Sequence, residues 1–420
     1  MRLWTISLVR SGFARLPLFS CSRRFLSTSE SLPSVVNIKN SQYSNQTHVQ
    51  SCCSTIAFGF DIDGVLLRGS TPIPGAKTTL KFLQHFNIPF ILLTNGGGKP
   101  EKERVAELSE KLGVHISEEN FIQSHTPFKK LVHGTSTQCA LENKTVLVTG
   151  GRGHKCREVA LDYGFKNVVM PADILIAHPK IWPFNQIFSD YYSLSHRPLP
   201  LPVKPNDLAN SLKIDAIFVF NDPKDWALDI QIILDLLLSH EGYLGTYSAK
   251  NGDRSLPNNG WQQDKQPALY FSNPDLFWAA SYHMPRLGQG GFQAAFEGVW
   301  KATTDNAHLD WTIIGKPCDL TFDYAESVLL KHRIRILSSK APDLKEIWFV
   351  GDNQLTDIKG SNEFNSRNRT KWQSILVKTG VYKDGSPLKH YPQIMAADVQ
   401  EAVKSVIDAQ LRSASESTLS

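Results

Sequence analysis

Short apolar runs ending at an acidic, hydroxyl or lysine residue alternate along this chain with segments of helical period, and that alternation leaves few architectures open. Runs at 56–60, 89–94, 145–148, 167–170, 216–220, 312–314, 347–350 and 374–377 read as buried strands. Between them, 76–86, 101–112, 157–163, 226–239 and 324–332 repeat apolar residues every three or four positions, as helices do. Strands separated by crossover helices pair in parallel, so the chain is expected to be α/β with largely parallel sheets. The Pro-rich stretch 196–205, the polar stretch 240–267 and the Ser-rich tail after Ala409 read as surface loops and frayed ends.

Composition removes other classes. With 41% apolar residues the 420-residue chain can build a sizeable core. No membrane-spanning segment is expected, since the best candidate, 228–237, is short and carries Asp229 and Asp235. Six cysteines without a C-x-x-C pair exclude a disulfide scaffold or zinc module. The net charge of +5 lies entirely in the first sixty residues, which hold six cations against Glu30. The remainder is balanced, so no nucleic-acid partner is expected. Residues 1–50 are rich in Arg and Ser, with Ile6, Val9, Phe13 and Leu16 at helical spacing. They read as a disordered mitochondrial transit peptide directing the chain to the matrix, against the plainer reading of an inert tail.

The strand ends carry the chemistry. Asp61-Ile62-Asp63-Gly64 directly follows the run 56–60, and Gly351-Asp352-Asn353-Gln354-Leu355-Thr356-Asp357 follows the run 347–350. Thr94-Asn95-Gly96 ends a third run, and Gly315-Lys316-Pro317 lies past a fourth. Each alone reads equally well as an ordinary turn, but ligands of open α/β sheets bind at this edge. Acids from separate loops suit a hard cation such as Mg²⁺. A carboxylate can attack phosphorus, splitting a difficult displacement into two easier ones. The phosphoryl oxygens need a hydroxyl, an ammonium and backbone N–H groups, for which Thr94, Lys316 and the Gly64 turn are candidates.

With four motifs in this order, the chain resembles the haloacid dehalogenase (HAD) superfamily over about residues 55–400. The 222-residue interval from Thr94 to Lys316 resembles class II members, whose cap lies between the second and third motifs, and Asn273-Pro274-Asp275 and Gly288-Gln289-Gly290-Gly291 resemble class IIA. The resemblance implies a Rossmann-like HAD core of parallel sheet at 51–125 and 287–410. It also implies an inserted α/β cap of the C2 type at 126–286 and a disordered tail at 411–420. It implies that Asp61 is the nucleophile and Asp63 the acid and base. Mg²⁺ is expected on Asp61, Asp63 (through its carbonyl) and Asp352, and the phosphoryl group on Thr94, Asn95 and Lys316, with Asp357 and Gly64 supporting. The partner implied is a small phosphorylated substrate, with a homodimer through the cap possible in such proteins. The implied function is a Mg²⁺-dependent phosphatase of a small phosphate ester, in mitochondria and with a link to glycerophospholipid metabolism. Phosphotransfer between organic molecules and a non-catalytic binding protein stay open as alternatives. Gly96, Gly97 and Gly98 depart from the polar residues many relatives carry there and leave the leaving-group contacts undefined. Arg286 and Asn273 are candidates either for substrate contact or for loop stabilisation, and Gly150-Gly151-Arg152-Gly153 reads as a turn rather than a nucleotide loop.

Overall fold

The computed structural model describes Tyr43 and residues 46–134, 139–184, 189–278, 280–338 and 341–419. Its larger sheet has six parallel strands in the order Ile394–Ala396, Lys371–Val377, Glu346–Gly351, Ile56–Phe60, Phe90–Leu93 and Phe121–Ile122. Strands Ile56–Phe60 and Phe90–Leu93 are buried at every residue, as parallel strands covered on both faces should be. On one face, helices Ala76–His85, Glu101–Leu112 and Val399–Leu419 contribute Leu80, Leu83, Leu108 and Ile407 to a single apolar cluster. Burying a leucine of this kind is worth about 1.5–3 kcal/mol. On the other face, helix Asp319–Leu337 packs Phe322, Ala325 and Leu329 against Phe349 and Trp372.

Strand order makes the site. From Ile56–Phe60 the chain builds outward to Phe90–Leu93 and Phe121–Ile122, whereas Glu346–Gly351 pairs on its opposite side. The crevice of an open α/β sheet forms where the order reverses. Register sets Phe60 beside both Val350 and Leu92, and the Asp61 N–H donates to the Val350 carbonyl at 2.9 Å. Asp61, Thr94 and Asp352 therefore leave the sheet at one rim.

A second sheet holds five parallel strands in the order Thr312–Ile313, Ala268–Phe271, Ala216–Val219, Thr145–Thr149 and Asn167–Val169. Helix Trp226–Leu238 is apolar almost all round because its neighbours enclose it, and Ile232, Ile233, Leu236 and Leu237 are fully buried. A buried ion pair, Arg157 to Asp173 at 2.7 Å, ties helix Lys155–Tyr163 to helix Pro171–Ala177. The Gly150–Gly153 segment is a turn between a strand and this helix.

Three boundaries differ from expectation. The second sheet does not end at 286: helix Gln289–Thr303 buries Phe292, Phe296 and Trp300 in its core, and Thr312–Ile313 is its edge strand. Residues 411–420 were expected to be disordered, yet one helix runs from Val399 to Leu419, with Leu411 still packed on the core. Most of the expected leader at 1–50 lies outside the described residues. Within it, however, Tyr43 is buried in the core cluster, as is Val49 on helix Gln46–Cys52. Among the described residues no helix is long and apolar enough to cross a membrane.

Candidate active site

Four side chains from three chain segments meet at the rim. The Lys316 ammonium lies 2.8 Å from an Asp61 oxygen and 2.7 Å from an Asp357 oxygen. One oxygen from each of Asp61, Asp352 and Asp357 falls within a cluster of span 4.8 Å or less. Asp357 sits in the π-helical turn Gln354–Ile358, and its second oxygen accepts the N–H groups of Asp352 at 3.1 Å and Asn353 at 3.0 Å. That carboxylate is held by the loop it anchors. Asp352 accepts the Val381 N–H at 2.6 Å. Gly64, at φ +98°, lets the turn after Asp61 close on Asp352, because a Cβ there would stand 2.2 Å from its carboxylate.

Charge at the rim is unbalanced. Burial raises the Asp61 carboxyl, with Lys316 opposing and Asp357 adding to the rise. Asp352 is raised well above its ordinary range by burial, then by Asp61 and Asp357. Burial pulls the Lys316 ammonium down, but Asp357 and Asp61 more than offset it and hold it above its usual value. Three buried carboxylates against one ammonium form an all-oxygen donor set with negative charge to spare, which fits a hard divalent cation. The Asp63 carboxylate is outside this trio. It is raised by burial, with Arg104, Lys316 and Lys111 drawing it back.

Thr94 and Asn95 divide their tasks. The Thr94 hydroxyl accepts the Gly96 N–H at 2.9 Å, leaving its proton free to donate into the cavity. Asn95 was expected to hold phosphate, and it lines the cavity. Its amide donates to the Lys316 carbonyl at 3.0 Å and its oxygen accepts the Lys316 N–H at 2.8 Å, so its side chain positions the lysine.

These residues line a cavity of about 380 Å³, closed from the other side by Asn221, Asp222, Asn273, Asp275, Phe277 and Trp278. Asn273 is buried and donates to the Asn95 carbonyl at 3.0 Å, which is the loop-fixing role of its two expected options. Arg286 is exposed and stacks over Tyr282 at 4.6 Å. Asp275, which carried no role in the sequence reading, is half-buried in the cavity wall and pushed up to about 7 by desolvation, with Lys316 opposing and Asp357 and Asp61 adding. The hairpin of Phe277–Trp278 with Arg286–Leu287 exposes Phe277, Trp278 and Leu287 beside this wall.

The glycine run after Asn95 has a packing cause. A Cβ on Gly97 would stand 2.5 Å from the His125 ring, and one on Gly98, at φ +87°, 2.4 Å from the Asn221 amide. Without side chains the loop accepts a hydrogen bond from the Asn221 amide to the Gly97 carbonyl at 3.1 Å. The Gly98 N–H also donates to His125 Nε2 at 3.0 Å. His125 Nδ1 meets the Tyr163 hydroxyl at 2.6 Å, and that hydroxyl donates to Glu101 at 2.6 Å. Only the spacing of the glycines signalled this network, and it signalled a departure rather than a purpose.

Comparison with known proteins gives concordant matches. A family profile described as haloacid dehalogenase-like hydrolase matches residues 58–166, and a HAD-hydrolase-like profile matches 313–402. A mitochondrial hydrolase of Saccharomyces cerevisiae is 38% identical over 377 residues, covering 86% of this chain and 97% of its own. A cardiolipin synthase (CMP-forming)/mitochondrial hydrolase fusion protein of Schizosaccharomyces pombe is 37% identical over 366 residues, covering 86% of this chain and 55% of its own. Our chain thus spans about half of that fusion protein. The crystal structure of a 4-nitrophenylphosphatase from Thermotoga maritima shares the fold with a TM-score of 0.52 at 16% identity, over 84% of this chain and 99% of its own.

Proposed function

Because the chain belongs to the haloacid dehalogenase-like hydrolases, we propose that it hydrolyses a phosphate monoester through a phosphorylated Asp61. The observation that carries this reading is the meeting of Asp61, Asp352, Asp357 and Lys316 at one sheet rim. Asp61 attacks phosphorus and the ester oxygen leaves. Asp63 protonates that oxygen, then takes a proton from the water that releases phosphate. Lys316 and Thr94 hold the non-bridging oxygens, whose charge grows in the transition state. Asp357 and Asn95 fix the lysine in place. Asp61, Asp352 and the Asp63 carbonyl would hold Mg²⁺, which when bound would screen the repulsion between an anionic nucleophile and an anionic substrate.

The six-stranded sheet serves as the catalytic core and the five-stranded unit as a cap that shields the site from bulk water. Mitochondria are the proposed location, supported by the names of the two yeast relatives. The fusion to a cardiolipin synthase in one relative, together with the exposed apolar hairpin beside the cavity, favours an ester from glycerophospholipid metabolism. The test is Asp61→Asn. With Mg²⁺ present, the purified variant is expected to lose at least 1000-fold in turnover of small phosphate esters, the scale at which loss of a covalent nucleophile acts. Retention of full activity would refute the reading.

A further inference from the structure

Resting on the phosphatase reading above, we infer that the leaving group of the substrate carries a second negative charge, a carboxylate or another phosphate, bound by Arg104 and Lys111. Both cations lie on helix Glu101–Leu112, seven positions and so about two turns apart, which sets them on one face roughly 10 Å from each other. Both line the catalytic cavity with Asp63, Gly96 and Gly97. Lys316 is consumed at the phosphoryl end by Asp61 and Asp357 and has no charge to offer a distant group.

Neutralisation within the protein separates the remaining cations. Lys99, also in the cavity wall, pairs with Glu103 and Glu107. Arg104 has one ion pair, to Glu107 at 3.3 Å, and shares that acid with Lys99. Lys111 has no ion-pair or hydrogen-bond partner among the described residues. A lysine facing only solvent would need no explanation, but this one looks into a cavity already crowded with carboxylates. An anion attached to the phosphate ester supplies the missing partner. Arg104 and Lys111 act on the Asp63 carboxylate from within the same cavity, so an anion they bind lies near the group that protonates the leaving oxygen. A neutral ester offers neither cation a charge to meet, so the site discriminates by charge more than by size.

The experiment compares three esters matched in length, with full-length protein and Mg²⁺: 3-hydroxypropyl phosphate, 3-phosphonooxypropanoate and propane-1,3-diyl bisphosphate. At least one anionic ester is expected to exceed the neutral one about tenfold in kcat/KM, and the two anionic arms distinguish carboxylate from phosphate. In Lys111→Gln and in Arg104→Gln the anionic-to-neutral ratio falls about tenfold, chiefly through KM, and Lys111→Arg restores it. Ester binding to the Asp61→Asn protein, followed by thermal shift, reads the same preference without turnover. Equal binding of neutral and anionic esters overturns the inference, as does a ratio that survives both substitutions. Neither result touches the phosphatase reading, which stands or falls on the turnover lost in Asp61→Asn.

Discussion

Asn95 grips the backbone of Lys316 on both sides, its amide donating to the lysine carbonyl at 3.0 Å and its oxygen accepting the lysine N–H at 2.8 Å. The two residues are 221 positions apart, so this pair of hydrogen bonds joins the end of one strand of the six-stranded sheet to a loop leaving the other sheet. It sets where the ammonium stands relative to Asp61.

Asn95→Ala therefore removes a positioning device. Two buried hydrogen bonds are lost and the Lys316 peptide is left unsatisfied, which should cost about 1–3 kcal/mol in unfolding free energy. Turnover of a phosphate ester is expected to fall at least tenfold, because a displaced ammonium no longer meets the phosphoryl oxygens. Denaturant titration and steady-state kinetics check the two halves separately.

Asp352 has a different part. Its carboxylate is fixed by the Val381 N–H and enclosed by Gly64 and Gly380, so its neutral isostere can occupy the same space. In Asp352→Asn the Mg²⁺ concentration for half-maximal activity should rise by about tenfold or more, as expected when a cation site loses one of its charges. An unchanged metal requirement would place the cation elsewhere.

His125 gives a pH signature. Burial, with Lys129 adding and Glu101 opposing, lowers its imidazole to about 4 from an ordinary 6.5. Between those values the unfolded chain takes up a proton that the folded chain refuses. The stability linked to this group is thus full above about pH 6.5 and is lost as pH falls toward 4, by roughly 3 kcal/mol in total. Asp229, buried and pushed up to about 7, tilts the stability curve the opposite way in any variant that keeps it. The measurement is accordingly the difference in unfolding free energy between the native chain and His125→Gln from pH 8 to pH 4. That difference should shrink across the window; parallel curves would contradict it.

What could be read in the sequence was whatever follows from the end of an apolar run. Asp61, Thr94 and Asp352 each leave a strand of the central sheet, and Lys316 lies just past the strand Thr312–Ile313, so their convergence was foreseeable once parallel strands were. Helix Glu101–Leu112 runs between the expected ends because Pro100 and Gly113, at φ 60°, bound it. Partner choice was not legible. Strand-end position says that Asn95 faces the cavity, but only register across 221 residues shows it bound to Lys316. Arg104 and Lys111 look, from spacing alone, like the solvated face of an amphipathic helix. Their role depends on which wall of the cavity that helix forms. The end of the second sheet was missed because helix Gln289–Thr303 packs on Trp226 and Phe271 through contacts that no local pattern encodes.

The central claim is that Asp61 becomes covalently phosphorylated while Asp352 and Lys316 hold the charges around it. Acid quenching of the enzyme during turnover, followed by peptide mass mapping, tests that claim most directly. A phosphoryl group is expected on the peptide containing Asp61, present with Mg²⁺ and substrate and absent from Asp61→Asn. Hydrolysis in full view of the assay with no phosphorylated peptide, or with the label on any other side chain, would contradict it.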